Sequence, residues 1–143
     1  MGVAFSEVRP LMETGRKTLR VLIVDDHAAF RQALAIVLGA QPDLEAAGLA
    51  GSLAEARGLV RSSCGHRFDA AVVDLGLPDG DGAELAAELV QAEPAVAVLA
   101  LADRRDLERR GLTLRAGAKE VLTKGADLGR ILDALRRLGT RRR

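Results

Sequence analysis

Three aspartates and one lysine each follow a short apolar stretch of the sequence. Asp25 and Asp26 come after RVLIV, Asp74 comes after DAAVV, and Lys124 comes after EVLT. Carboxylates that share one cleft repel one another unless a cation lies among them. Oxygen ligands at an open, hydrated rim suit Mg²⁺, which can orient a phosphoryl donor. A carboxylate beside that ion is then a candidate in-line nucleophile, and an ammonium group can hold a phosphoryl oxygen.

These four side chains can act together only if the elements before them bring them to one place. Apolar runs predict buried strands at 20–25, 44–50, 69–73, 95–101 and 120–123. Helical spacing and helix-end signals predict helices at 27–39, 52–62, 82–92, 103–116 and 126–138. Ser52 and Glu55 form a predicted capping box, and Asp103 is a predicted N-cap. The turn-rich residues 75–81 predict a loop.

Strands that alternate with helices predict an α/β fold, with a parallel sheet covered by helices on both faces. Right-handed crossovers leave few topologies for such a chain. One of them is the (βα)5 doubly wound, flavodoxin-like fold, whose five-stranded parallel sheet has the order 2-1-3-4-5. Strands 1 and 3 are neighbours in that order, so Asp25, Asp26 and Asp74 are expected to converge at the carboxyl edge of the sheet. Lys124 ends strand 5 at the same edge.

Composition and charge restrict the class of protein. The 143 residues suit one domain, predicted at 19–139, after a flexible extension at 1–18 and before a basic tail or linker at 140–143. A net charge of +1 lacks the excess of positive charge that is typical of nucleic-acid-binding domains. The single cysteine, Cys64, cannot form an intrachain disulfide, which favours a reducing, cytoplasmic location. Neither a signal peptide nor a stretch of transmembrane length is recognisable, so no membrane contact is expected.

Three stretches of the chain resemble a known family. VLIVDDHAAFRQAL, VVDLGLPDGDG and GAKEVLTK resemble the receiver domain of bacterial two-component response regulators, over about residues 19–139. The Asp-Asp-His sequence after strand 1 most resembles the LuxR/NarL-type subfamily, which carries a C-terminal helix-turn-helix. The resemblance implies a phosphorelay signalling domain that is phosphorylated by a sensor histidine kinase and is not a turnover enzyme. It also implies transcription regulation through a DNA-binding domain absent from these residues, with homodimerisation as a further option.

The resemblance assigns a role to each residue of the acidic pocket, which we define as Asp25, Asp26 and Asp74 together with Lys124. Asp74 is implied as the phosphoacceptor, and Lys124 as the residue that contacts the phosphoryl group. Asp26 is implied as a direct Mg²⁺ ligand, Asp25 as a ligand that acts mainly through water, and Asp74 as a third ligand. The backbone carbonyl of Gly76 is the remaining ligand that the resemblance implies.

Two positions depart from the family pattern. The family has Ser or Thr at the end of strand 4 and an aromatic residue on strand 5, where this chain has Ala102 and Val121. In the family, the hydroxyl contacts the phosphoryl group and the ring follows it. A bound group shifts a conformational equilibrium only through contacts that differ between the two states. We therefore expect phosphorylation at Asp74 with a weak readout, or with a readout through another element.

Other functions stay open on the sequence alone. An atypical receiver would act independently of phosphorylation, through protein contacts or ligand binding, and Ala102 and Val121 favour it. An unrelated flavodoxin-like binding module or a Mg²⁺-dependent phosphatase is a further alternative. Such a phosphatase would need an acid two residues after its nucleophile, where this chain has Gly76.

Several polar residues near the motifs are expected to have structural roles. His27 follows the acid pair and could touch the pocket, but a helix start is the favoured interpretation, and Asp79 and Asp81 are predicted to form turns. A run of arginines is predicted to be either a solvated face or a surface for a partner or a second copy: Arg104, Arg105, Arg109, Arg110 and Arg115. The first and last helices offer a second surface for a homodimer.

Overall fold

A five-stranded parallel sheet is the centre of the fold. The computed structural model describes residues 18–62 and 67–141. The strands in these ranges are β1 (Leu19–Val24), β2 (Leu44–Ala50), β3 (Ala70–Asp74), β4 (Gly76–Leu77), β5 (Gly80–Asp81), β6 (Ala97–Ala102) and β7 (Glu120–Thr123). The main sheet has the order β2-β1-β3-β6-β7, with every neighbouring pair parallel. The predicted order 2-1-3-4-5 and the flavodoxin-like fold are therefore confirmed.

Helices cover both faces of this sheet. In the described ranges they are α1 (Ala28–Gly39), α2 (Leu53–Ser62), α3 (Gly82–Ala92), α4 (Arg104–Leu107), α5 (Arg110–Ala116) and α6 (Leu128–Arg141). α1 and α6 share one buried cluster, which includes Leu34 and Ile131. α2 and α3 share the cluster on the other face, which includes Leu53 and Leu85.

Strand β1 shows why the strands of this protein are continuous apolar runs. Val21 and Ile23 belong to the cluster beneath α1 and α6, whereas Leu22 and Val24 belong to the cluster beneath α2 and α3. All four side chains are fully buried. A parallel sheet with both faces covered has no solvent-facing side, so its strands need no alternating polar residues.

The single helix predicted over 103–116 is wrong, because the structure has two helices there. Asp103 caps the first of them, α4, by accepting a hydrogen bond from the Asp106 N–H at 3.0 Å. The N–H groups of Glu108 and Arg109 then donate to carbonyls three residues earlier rather than four. This is the tighter hydrogen bonding of a 3₁₀ turn, and it interrupts the α-helix before α5 begins.

The loop predicted at 75–81 contains a short antiparallel pair, formed by β4 and β5. Gly80 has a φ of 153°, a conformation that side chains other than glycine rarely adopt. Directly after this pair, Gly82 begins α3 very close to β3. A Cβ at this position would lie 2.3 Å from the Asp74 carbonyl oxygen. Glycine therefore allows α3 to start against the backbone of the predicted phosphoacceptor.

Some predictions concern residues outside the described ranges. The predicted extension at 1–18 lies outside them except for Thr18, and so do Cys64 and the last two residues of the predicted tail. Within the described ranges, no helix is both long enough and apolar enough to cross a membrane.

Candidate functional site

The register of β1 and β3 brings two of the predicted acids together. Val24 pairs with Val73 across these parallel strands, so Asp25 and Asp74 follow at neighbouring positions on the same edge. Asp25 is 1% exposed and Asp74 is 3% exposed. Asp26 follows at the exposed rim. The three acids thus lie at the carboxyl edge of the sheet, where the sequence pattern placed them.

Lys124 reaches the same edge from β7. Its backbone N–H donates to the Ala102 carbonyl at 2.8 Å, which holds the end of β7 against β6. Its Nζ donates to Asp74 Oδ2 at 2.7 Å and to Asp25 Oδ1 at 3.1 Å. Hydrogen bonds between two ionised groups are the strong ones in proteins. One ammonium therefore bridges the two buried carboxylates and balances part of their charge.

Burial and ion pairing act in opposite directions on this pair of groups. Burial raises the pKa of the Asp74 carboxyl, and the hydrogen bonds from Lys124 and from the Gly76 N–H offset only part of that rise. Burial lowers the pKa of Lys124, but its hydrogen bonds to Asp74 and Asp25 outweigh burial, so its pKa is raised. Lys124 is thus an ammonium at neutral pH, beside a carboxylate whose charge is disfavoured by its surroundings.

His27 both precedes α1 and enters the pocket. Its backbone N–H donates to Asp25 Oδ1 at 2.8 Å, and its Nδ1 lies 2.6 Å from Lys124 Nζ. The same Nδ1 lies 3.2 Å from Asp25 Oδ1, so the ring is in contact with both the ammonium and a carboxylate. The predicted helix start is confirmed. The alternative that His27 touches the pocket holds as well, because the turn closed by the Asp25 carboxylate directs the ring towards Lys124.

Phe30 of α1 lies beside the same ammonium group. The centre of its ring is 5.9 Å from Lys124 Nζ. This separation is within the range of a cation–π contact, in which the electron-rich ring face attracts a cation. Lys124 is therefore surrounded by two carboxylates, an imidazole and an aromatic ring.

The pocket offers ligands that suit a cation. Ligand atoms from Asp25, Asp26, His27 and Asp74 all lie within 4.8 Å of one another. Asp25 Oδ2 is buried and accepts no hydrogen bond within the part of the chain that the structure describes. A buried oxygen without a donor destabilises the fold, and a bound cation would remove that penalty. Gly76 is adjacent, since its N–H donates to Asp74 Oδ1 at 3.0 Å. These residues fit the predicted Mg²⁺ ion.

Asp106 of α4 also borders the pocket, although it is not one of the predicted site residues. A Cβ built on Gly76 would lie 3.9 Å from Asp74 Oδ1 and 4.0 Å from Asp106 Oδ2, so both carboxylates face one space. The Asp106 side chain is 17% exposed. Burial raises its pKa, and the negative charges of Asp103 and Asp74 add to the rise. No motif marks this residue, which lies in the first turn of α4 and is held there by the Asp103 cap.

Arg109 contacts the other oxygen of Asp106. Its guanidinium lies 3.7 Å from Asp106 Oδ1 and also pairs with the Asp81 carboxylate. Asp81 caps α3 by accepting a hydrogen bond from the Ala83 N–H at 2.9 Å. Arg109 therefore links the junction between α4 and α5 to the start of α3.

Asp79 has a longer-range role than the predicted turn. Its two carboxylate oxygens accept hydrogen bonds from the N–H groups of Leu53 and Ala54, at 2.8 and 3.0 Å. These bonds lower the pKa of Asp79. The loop after β3 is thereby attached to the first turn of α2, where the predicted Ser52 cap is also present, at 3.1 Å from the Glu55 N–H.

The two positions that depart from the family pattern lie in the core. Ala102 ends β6 and is fully buried, and Val121 of β7 is 4% exposed. Both belong to the apolar cluster beneath α2 and α3. Neither side chain has a hydroxyl or a ring, so neither can make a polar contact with Asp74.

Two exposed surfaces differ in character. The five arginines of the predicted run are all exposed on or beside α4 and α5, where Leu112 is 60% exposed. On α1, the exposed side chains are uncharged, and Ile36 is 72% exposed. Arg31 of α1 points inward, because its guanidinium donates to the Asp25 carbonyl at 2.6 Å. A homodimer through either surface stays a prediction.

Comparison with known proteins identifies the family. The response regulator receiver domain matches residues 21–136. The chain belongs to this family. The match spans all five strands of the main sheet except the first residues of β1, and it includes the whole acidic pocket. The resemblance of the three sequence stretches is thereby confirmed.

Relatives indicate which kind of receiver this is. The receiver is 38% identical over 115 residues to the DNA-binding transcriptional activator DevR/DosR of Mycobacterium tuberculosis, over 78% of this chain and 52% of that protein. It is 30% identical over 119 residues to the oxygen regulatory protein NreC of Staphylococcus carnosus, over 82% of this chain and 54% of that protein. These matches support a NarL/LuxR-type receiver. The chain spans about half the length of these relatives.

A solved structure has the same fold and a modified aspartate. A response regulator from Burkholderia pseudomallei, determined with a phosphorylated aspartic acid, a calcium ion and citrate, is similar with a TM-score of 0.72 at 26% identity. That similarity covers 86% of this chain and 69% of the other.

Proposed function

We propose that this receiver accepts a phosphoryl group on Asp74 from the phosphohistidine of a sensor kinase. The Mg²⁺ ion would be held by Asp25, Asp26, Asp74 and the Gly76 carbonyl. The observation that carries the proposal is the contact of Lys124 Nζ with Asp74 Oδ2 at 2.7 Å, beside a buried Asp25 oxygen that lacks a donor. The pocket thus combines a nucleophile, a fixed cation and free carboxylate ligands.

The chain's own residues have distinct tasks in this transfer. The Asp74 carboxylate attacks phosphorus, and the bond between phosphorus and the histidine nitrogen of the donor breaks as the new P–O bond forms. Lys124 is already in place to balance negative charge on the phosphoryl oxygens. The Gly76 N–H holds Asp74 Oδ1 at 3.0 Å and so orients the nucleophile. When bound, Mg²⁺ supplies charge neutralisation and a template for the phosphoryl oxygens.

The biological output is part of the proposal. DevR/DosR is a DNA-binding transcriptional activator, and the chain matches about half of it. We therefore assign this receiver to the control of transcription through a DNA-binding region of a longer protein, in the cytoplasm. The similar response regulator from Burkholderia pseudomallei holds a phosphorylated aspartic acid and a calcium ion, which supports the proposed chemistry.

Incubation with acetyl phosphate and Mg²⁺, followed by intact-protein mass spectrometry, tests the acceptor. Wild-type protein should gain one phosphoryl group, and chelation of Mg²⁺ should suppress that gain. Asp74→Asn should gain none, whereas Asp133→Asn, an exposed acid on α6, should behave as wild type. An adduct that persists in Asp74→Asn, or wild-type protein that gains none, would refute the proposal.

A receiver that acts independently of phosphorylation is the second candidate, because the buried Ala102 and Val121 lack the polar and aromatic groups of the family switch. NMR spectra with and without Mg²⁺ and beryllofluoride, a phosphoryl mimic, distinguish the two. Amide shifts confined to the pocket favour the second candidate. Large shifts throughout residues 95–125 would exclude a weak switch.

A further inference from the structure

The space beside Gly76 lies directly next to the proposed phosphoacceptor. A side chain at this position would begin 3.9 Å from Asp74 Oδ1, and glycine leaves that volume open. A carboxylate carried two residues after a nucleophilic aspartate would enter the same space. The chain has no such carboxylate at position 76, but Asp106 Oδ2 faces the space from α4, 4.0 Å from the Cβ position.

Several contacts hold Asp106 in this orientation. Its backbone N–H donates to the Asp103 carboxylate at 3.0 Å, which fixes the first turn of α4. Arg109 lies 3.7 Å from the Oδ1 atom, so the two oxygens of Asp106 have different surroundings. With 17% of its side chain exposed, Asp106 is shielded yet can still reach water.

The other groups of the pocket are unsuited to accept a proton. Lys124 is a cation that donates to Asp25 and Asp74. His27 Nδ1 is already occupied by its contacts with Lys124 Nζ at 2.6 Å and Asp25 Oδ1 at 3.2 Å. The Asp25 and Asp26 carboxylates are the ones that a bound cation would neutralise.

We propose that Asp106 is a catalytic residue that hydrolyses the phosphoryl group on Asp74 and so limits the lifetime of the phosphorylated receiver. This role rests on the proposed phosphorylation of Asp74. Water attacks phosphorus, the P–O bond to Asp74 breaks, and the electron pair returns to the Asp74 carboxylate. The water proton moves to the Asp106 carboxylate and is then released to solvent, leaving inorganic phosphate. Asp106 thus acts as a general base from a different element than the nucleophile.

The lifetime of the phosphorylated protein tests this role. Protein is phosphorylated with acetyl phosphate and Mg²⁺, the donor is removed by desalting, and loss of the adduct is followed by intact mass. The half-life should lengthen about tenfold in Asp106→Asn, less than the roughly 100-fold effect of a fully enclosed base, because Asp106 is partly exposed. Glu108→Gln, an exposed acid of the same segment, is the matched control and should decay as wild type.

A solvent isotope effect separates a proton acceptor from a structural role. Wild-type protein should lose its adduct more slowly in D₂O than in H₂O, and Asp106→Asn should lose that difference. Equal half-lives in wild type and Asp106→Asn, or an isotope effect that survives in the variant, would overturn the role of Asp106 alone. Wild-type protein that forms no adduct would overturn the proposed function and this role together.

Discussion

Two regions of the same sheet edge differ sharply in their chemistry. At the ends of β1 and β3, Asp25 and Asp74 are buried and bridged by the ammonium of Lys124. At the end of β6 and within the neighbouring β7, Ala102 and Val121 are buried among apolar side chains. In the proposed function, the first region would bind and transfer a phosphoryl group, and the second lacks the hydroxyl and the ring that would respond to it. The proposal therefore assigns phosphoryl transfer and the structural response to it to separate residues, so that one can be kept while the other is replaced.

The largest effect is expected where the first region depends on close backbone packing. Gly82→Ala should lower the free energy of unfolding by roughly 2–3 kcal/mol, because its Cβ must displace either α3 or the end of β3. The relevant separation is 2.3 Å, from the Cβ position to the Asp74 carbonyl oxygen. Urea denaturation measures the change.

Gly58→Ala is the matched control for this substitution. Gly58 lies inside α2, and a Cβ there meets nothing within 4 Å. The free energy of unfolding of this variant should rise by about 0.5–1 kcal/mol, since alanine is a better helix former than glycine. If Gly82→Ala were as stable as Gly58→Ala, α3 would not be packed against Asp74 as described.

A smaller effect is expected from the charge of the pocket itself. The folded-state pKa of Asp74 is raised by burial. The stability that its carboxyl contributes is therefore fully present below its unfolded pKa and is lost as pH rises through the folded pKa. An asparagine at this position does not titrate, so Asp74→Asn should gain stability relative to wild type as pH rises to neutrality. Thermal unfolding across this pH range, without Mg²⁺, measures the difference.

Asp79 is a control whose pKa is shifted in the opposite direction to that of Asp74. Its pKa is lowered by the N–H groups of Leu53 and Ala54. The stability that the Asp79 carboxylate contributes is present above the pKa of the unfolded state and is lost as pH falls through the pKa of the folded state. Asp79→Asn should therefore be less stable than wild type at neutral pH, and the difference should shrink in acid. The same pH trend for both variants would contradict the assigned environments.

The smallest effect is expected from restoring the missing hydroxyl in the second region. Ala102→Thr in a Val121→Tyr background should enlarge the amide shifts over 95–125 when Mg²⁺ and beryllofluoride are added. Ala102→Val in the same background is nearly isosteric with threonine but has no hydroxyl. In both variants the substitution at position 102 should lower the free energy of unfolding by about 1–3 kcal/mol, because this fully buried position becomes overpacked. If valine spread the shifts as widely as threonine, the hydroxyl would not be the missing part.

The strands and the acidic pocket are predictable because their signals are local. Asp25, Asp74 and Lys124 each end an apolar run, and the alternation of strands and helices then requires these ends to lie on one edge. The predicted strand bounds are within a few residues of the observed ones. Burial on both faces produces a continuous apolar run that a single sequence shows clearly.

The features that escaped prediction depend on contacts between distant segments. Asp106 borders the pocket because the Asp103 cap starts α4 beside the loop after β3, and the helix-like spacing of 103–116 also conceals the break that follows. Asp79 caps a helix that begins 26 residues earlier in the chain. For His27 the sequence left pocket contact open, and only the bond from its backbone N–H to Asp25 decides it. The spacing of apolar residues along the sequence does not indicate contacts of this kind.

The position of Phe30 beside Lys124 makes the pocket directly observable. The chain has no Trp or Tyr, three Phe and two His, so few signals occupy the aromatic region of a proton NMR spectrum. Phe68 lies elsewhere, against Arg20. The ring currents and shifts of Phe30 therefore report where the Lys124 ammonium is, without any label. Any ligand that draws this ammonium away from the ring would be visible in a simple titration of the unmodified protein.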